Sequence, residues 1–145
     1  MKIAFYIAKN GTLTDRFISA VTFSKYSHCE LVFSTGEFGS ASKRDDGVRL
    51  KYIDQNSHWD IFDLRNEDGS EITLEQEKMI HYWFLINDGQ KYDWVGAIGS
   101  YFGIDLTDEL EEEKFCSYVC ALHLGLDPIV TPQKLYKNLI SHNMI

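Results

Sequence analysis

Apolar residues recur along this chain at two different spacings, and the changes of spacing divide it into elements. Residues 2–8, KIAFYIA, alternate loosely and are rich in Ile, Phe and Tyr, which predicts a strand. Asn10 and Gly11 then turn the chain. Thr12 with Asp15 three residues on marks a helix start, and Leu13, Phe17, Ile18 and Val21 carry a short amphipathic helix over about 13–22. Period two returns over 28–34, over 38–42 (FGSAS), over 48–53 (VRLKYI) and over 59–64 (WDIFDL), predicting four more strands.

The later part of the chain reads as helices. Thr73 to Gln76 resembles a capping box, and Leu74, Ile80, Trp83, Phe84 and Ile86 line a helix that stops before Asp88 and Gly89. Residues 92–104, YDWVGAIGSYFGI, are apolar with three glycines, and fit either a broken helix or a packed loop. Residues 105–114, DLTDELEEEK, form an acidic, solvated stretch. Residues 115–124 predict a helix with Gly125 as its stop, on which Phe115, Val119 and Leu122 face the core. A last helix has Thr131 as its cap and Pro132 at its first position. The order β-α-β-β-β-β-α-α-α predicts an α+β fold with an antiparallel sheet.

Composition bounds the rest. The 145 residues suffice for one domain over 1–145, and 44% hydrophobic and 14% aromatic content suits a packed core rather than disorder. A net charge of −8 argues against nucleic acid and against an anionic membrane surface as partners. No run reaches the roughly 18 apolar residues of a membrane span, and the N-terminal apolar run is too short for a signal peptide. The expectation is a soluble, cytoplasmic protein, a setting that includes a virus- or phage-encoded one; oligomeric state is not readable. Three cysteines are an odd count, so at least one thiol is free.

Two stretches carry candidate chemistry. In YSHCELVFS, residues 26–34, His28 and Glu30 lie two apart on a strand and so face the same way. Their Cβ atoms should lie roughly 6–7 Å apart, so contact depends on rotamers. In FCSYVC, Cys116 falls in the first turn of a helix. Free amides and the positive dipole end there favour thiolate over thiol, and the same amides can hold an oxyanion. A nucleophilic cysteine needs a base, which a strand histidine supplies. The plainer alternative makes Cys116 a small buried hydrophobe and His28 a hydrogen-bonding strand residue.

Five segments in order resemble the circularly permuted branch of the NlpC/P60 superfamily, papain-like thiol hydrolases that include YiiX-like proteins and the lecithin:retinol acyltransferase group. They are FSKYSHCELVF, GSASKRDDGVRL, QKYDWVGAIG, FCSYVCALHLG and TPQKLYKNL. The resemblance implies a papain-like antiparallel sheet with the nucleophile helix packed on it, Cys116 as nucleophile and His28 as general base. It also implies a polar residue, often glutamate, on the strand after the histidine strand to orient the imidazole. Gly39, Ser40 and Ala41 stand there, so Ser40 is the nearest match and Glu30 the other candidate for orienting His28 or contacting substrate. The Cys-Ser-Glu common in relatives is Cys-Ser-Tyr here, with Tyr118 third.

The implied activity is cleavage of an amide or peptide bond, in a cell-wall peptide or an isopeptide, through an acyl-thioester. Acyl transfer or lipid-ester cleavage, and a catalytically silent binding domain, are the alternatives. The partner is a peptide or acyl substrate; no cofactor and no metal are expected. Cys120 and His123 follow Cys116 on one helix side, but a Cys-x3-Cys-x2-His set is unlike the paired knuckles of structural zinc sites. Cys120 reads as core, and Cys29 as buried and pointing away from His28. His58, His81 and His142 read as structural or surface residues. Tyr92, Asp93 and Trp94 match the family segment that packs near the site.

Overall fold

The computed structural model describes residues 1–11, 24–91 and 115–145. Within them lie five strands, β1 (Lys2–Ile7), β2 (Tyr26–Val32), β3 (Glu37–Ser42), β4 (Gly47–Tyr52) and β5 (Trp59–Asp63), followed by three helices, α1 (Leu74–Ile86), α2 (Cys116–His123) and α3 (Pro132–Ser141). The strands form one sheet in the order β4-β3-β2-β1-β5, with every pairing antiparallel. This is the α+β class that the spacing predicts. The helix expected over 13–22, the apolar segment 92–104 and the acidic run 105–114 lie outside the described residues.

Local signals account for the helix starts. Thr73 accepts the Gln76 N–H and the Gln76 side chain returns to the Thr73 backbone, so the capping box is complete. Thr131 accepts the Lys134 N–H, with Pro132 at the first position. Phe115, which precedes α2, offers no side-chain cap.

Alternation along the strands separates two faces. Ile3, Phe5, Cys29, Leu31, Ala41 and Val48 belong to the larger core, with Val119, Cys120, Leu135 and Leu139 from α2 and α3 and Phe84 from α1. Gly39 lets α1 approach this face, because a Cβ there would stand 2.8 Å from Phe33 and 3.0 Å from Phe84. Ala4, Val32 and Phe38 form a second cluster with Ile53, Trp59 and Ile61 on the other face. The Phe38 and Trp59 rings are 5.9 Å apart although two strands separate β3 from β5, a span of about 14 Å in a flat sheet. The sheet is therefore curled around this second face, as the twist of strands allows.

One expected core assignment fails. Leu122 is exposed, because the buried arc of α2 centres on Cys116 and Cys120 and a 3.6-residue turn carries Leu122 to the far side. Leu74 and Ile86 are also exposed, together with Met79, Tyr82 and Leu85. The buried line of α1 runs through Glu77 and Phe84, with Ile80 and Trp83 half-buried. α1 is apolar on both sides, so the identity of its residues did not reveal which side packs.

Candidate functional site

The site is built where the β2–β3 ladder ends. β2 and β3 pair through Leu31↔Gly39 and Val32↔Phe38, and the ladder stops there. Ser40 replaces one lost ladder bond by donating its hydroxyl to the Cys29 carbonyl at 2.8 Å. α2 packs against β2 and β3, and Cys116, its first residue, lies beside Cys29 and His28 of β2.

His28 lies on the curled face of β2, opposite Tyr6 of β1. Its side chain is 21% exposed. Its Nε2 stands 3.0 Å from Glu30 Oε1. Glu30 is held ionised, so it only accepts, and Nε2 carries the proton. That leaves Nδ1 as the ring nitrogen available to Cys116. The Trp59 ring lies 6.3 Å from the His28 ring, edge to face.

Glu30 is buried on a central strand rather than exposed at an edge. Its two oxygens are gripped by Arg49: Nη2 donates to Oε1 at 2.7 Å and Nη1 to Oε2 at 2.8 Å. Burial alone would push the Glu30 carboxyl up; hydrogen bonds from His28 and Arg49 outweigh that and hold it below its ordinary value. Arg49 also donates from Nε to Asp45 Oδ2 at 2.8 Å, and Asp45 in turn takes the Lys51 ammonium at 2.6 Å. A continuous polar line therefore runs from His28 through Glu30, Arg49 and Asp45 to Lys51.

The thiol and the imidazole shift each other in opposite directions. For His28, burial lowers the pKa; the charge of Cys116, hydrogen bonding to it, and Glu30 outweigh burial and raise the value to about 10. For Cys116, hydrogen bonding from the Cys29 thiol acts most strongly, and the charge of His28 and the Cys29 backbone N–H add to it against burial. The Cys116 thiol is thereby held well below its ordinary range. Cys29 moves the other way, raised by burial and by the neighbouring Cys116 and Cys120 sulfurs. These pulls favour a thiolate–imidazolium pair, with Cys29 as a neutral thiol beside it. Cys29→Ala is expected to raise the pH at which Cys116 ionises, read as an upward shift in the midpoint of Cys116 alkylation. An unmoved midpoint would remove Cys29 from this role.

Of the residues singled out from sequence, the structure brings Cys116, His28 and Glu30 together. It does not bring Ser40 to the imidazole. Ser40 is fully buried, and its hydroxyl is committed to the Cys29 carbonyl, so it stabilises the opened strand edge instead. Cys29 is buried, as expected, in the core shared with the helices, and no local pattern marks its contact with Cys116. The decisive omission was Arg49. In VRLKYI it reads as a solvent-facing position, yet its side chain is only 9% exposed.

The remaining candidates stand apart. His123 packs on Trp83 with ring centroids 4.6 Å apart, and burial lowers its pKa to about 4, so it is neutral. Cys120 turns to Cys29. Among the described residues, no group of three or more His, Cys, Asp or Glu is arranged to hold a metal. His81 meets Glu37 at 2.8 Å and His142 meets Glu67 at 2.7 Å, while His58 stacks edge-on against Tyr6. A cavity of about 220 Å³ lined by Ile72, Ile80, His123, Leu124 and Met144, among others, includes neither Cys116 nor His28. Tyr92, Asp93 and Trp94 lie outside the described residues. No described helix is long and apolar enough to cross a membrane. No family model, curated protein or solved structure matches this chain.

Proposed function

We propose that this chain is a papain-like cysteine hydrolase that cleaves an amide or peptide bond through an acyl-thioester on Cys116. One observation carries the reading. A cysteine at an uncapped helix start meets a histidine whose other nitrogen is fixed by a buried carboxylate. That is the nucleophile, base and orienter arrangement of thiol hydrolases. Glu30, on the histidine strand itself, fills the orienting role expected of the next strand.

In this reading the Cys116 thiolate attacks the substrate carbonyl carbon, and the carbonyl oxygen takes up the electron pair. The backbone N–H of Cys116, at a helix start whose N-cap supplies no side-chain acceptor, donates to that oxyanion. His28, protonated through its neighbours, gives its proton to the departing amine nitrogen as the C–N bond breaks. Water then attacks the thioester while His28 takes its proton, and the acid leaves with Cys116 restored as thiolate. Glu30 keeps the ring in the required tautomer throughout.

The test is the pH dependence of iodoacetamide labelling, resolved by peptide mapping. Cys116 is expected to react selectively well below pH 8, because its thiol is held low by Cys29 and His28. The rate is expected to change again near pH 10 as the imidazolium is lost. Cys29 and Cys120, both fully buried, are expected to react slowly. Equal, sluggish reaction of all three cysteines would contradict the proposal and favour a silent binding domain.

A further inference from the structure

We propose that Arg49 is a positioning residue of this site: by gripping both oxygens of Glu30 it keeps that carboxylate ionised and aimed at His28, and so sets the pH at which the Cys116–His28 pair forms. The inference rests on the reading of Cys116 and His28 as a reactive pair.

The register explains how a residue two strands away reaches the site. Arg49 of β4 lies opposite Ser40 of β3, and both share the curled face with Glu30. Ser40 is small, and the guanidinium passes over β3 to the carboxylate. It is anchored on the way by the Phe38 carbonyl at 3.2 Å and by Asp45 at 2.8 Å. Glu30 Oε1 is shared between Arg49 Nη2 at 2.7 Å and His28 Nε2 at 3.0 Å. Motion of Arg49 is therefore motion of the atom that orients the imidazole.

Charge gives the second half of the argument. A buried carboxylate beside a single histidine tends to take up a proton, because burial disfavours its charge. A protonated Glu30 would no longer be a fixed acceptor for Nε2–H. Arg49 stays charged at all relevant pH and matches a carboxylate with two parallel donors, which lysine cannot do. Among the described residues, the other titratable or charged groups around the pair are Cys29 on β2, Tyr6 on β1, Lys51 on β4, Asp45 and Arg44 in the β3–β4 turn, and Cys120 on α2. Of these, Asp45 pairs with Arg49, and Lys51 pairs with Asp45.

The experiment measures the midpoint of Cys116 alkylation by iodoacetamide in the full chain, with circular dichroism to confirm folding. It compares wild type with Arg49→Met, Arg49→Lys, Glu30→Gln and the Glu30→Gln/Arg49→Met double variant. Arg49→Met is expected to raise the midpoint by about one pH unit, a tenfold loss of thiolate on the acid side. Arg49→Lys is expected to recover part of the shift. The double variant is expected to match Glu30→Gln, because Arg49 acts through Glu30. A folded Arg49→Met with an unchanged or lowered midpoint overturns the proposal. If Arg49→Met does not fold, the double variant, which removes both buried charges, decides: a midpoint different from that of Glu30→Gln overturns it. A wild type in which Cys116 is not selectively reactive fails at the earlier step and takes this inference down with the proposed function.

Discussion

Cys116→Ala is expected to abolish amide hydrolysis, with a loss on the order of 10⁴-fold or more, since removing the nucleophile leaves only binding and the oxyanion donors. The sulfur is the atom on which the acyl group would be carried, and among the described residues no second thiol takes the same position. Cys29 is fully buried with its thiol held protonated, and Cys120 lies one turn deeper on α2. The structural cost of the change should be small, about 1 kcal/mol, because one atom is removed at a helix start without loss of a cap. Turnover against a panel of peptide amides, isopeptide conjugates and acyl esters checks this, with thermal unfolding of the same preparation alongside. A folded variant that retains wild-type turnover would end the assignment of Cys116 as nucleophile.

Glu30→Ala is expected to destabilise the fold by about 3–5 kcal/mol, the usual effect of breaking a buried ion pair from one side. Arg49 would keep Asp45 and the Phe38 carbonyl but lose both oxygens that neutralise its inner edge. Against a total of about 5–15 kcal/mol for a domain, that is a large fraction. The Glu30→Gln/Arg49→Met double variant should recover most of it, because no unpaired charge is left in the sheet. Denaturant unfolding of the three proteins at neutral pH checks the order. A Glu30→Ala variant as stable as wild type would mean that the pair contributes little and that Arg49 finds other partners.

The same network gives an acid dependence whose sign is fixed. The Glu30 carboxyl is held below its ordinary 4.5, against burial, by His28 and Arg49; Asp45 is lowered to about 2, against burial, by Lys51 and Arg49. A carboxylate with a depressed value stabilises the folded state above its unfolded pKa, and that contribution is lost as pH falls through the folded value. Stability from these two groups is therefore present above about pH 4.5 and declines progressively below it, toward pH 2 for Asp45. The alkylation midpoint and the acid unfolding curve are separate readouts, because the first reports the thiol and the second the carboxylates.

Much of this was legible locally. The five strands, the two threonine-capped helices and the cysteine helix follow from spacing two, from spacing three to four and from cap residues. His28 and Glu30 were placed on one side of a strand by alternation alone, and Cys116 at a helix start by its neighbours. The misreadings also have local causes. Leu122 reads as core because its apolar identity suggests an inward direction, on a helix whose packed side is set by what lies against it. Ser40 was considered because a neighbouring strand was expected to supply the orienting group. Strand register places it on the right face, but the opened ladder claims its hydroxyl for Cys29.

The amino-acid sequence by itself determined the order and kind of the described strands and helices, and named the sulfur and the imidazole, because helix and strand periods, caps and turns act within a few residues. Only the tertiary structure decided that Cys116 faces His28, that Cys29 leans on the same sulfur, and that Arg49 crosses β3 to hold Glu30. Those contacts depend on strand register, on where a ladder ends and on the curl of the sheet. Each is set by pairing between distant segments, and a local pattern of apolar and polar residues carries no record of it.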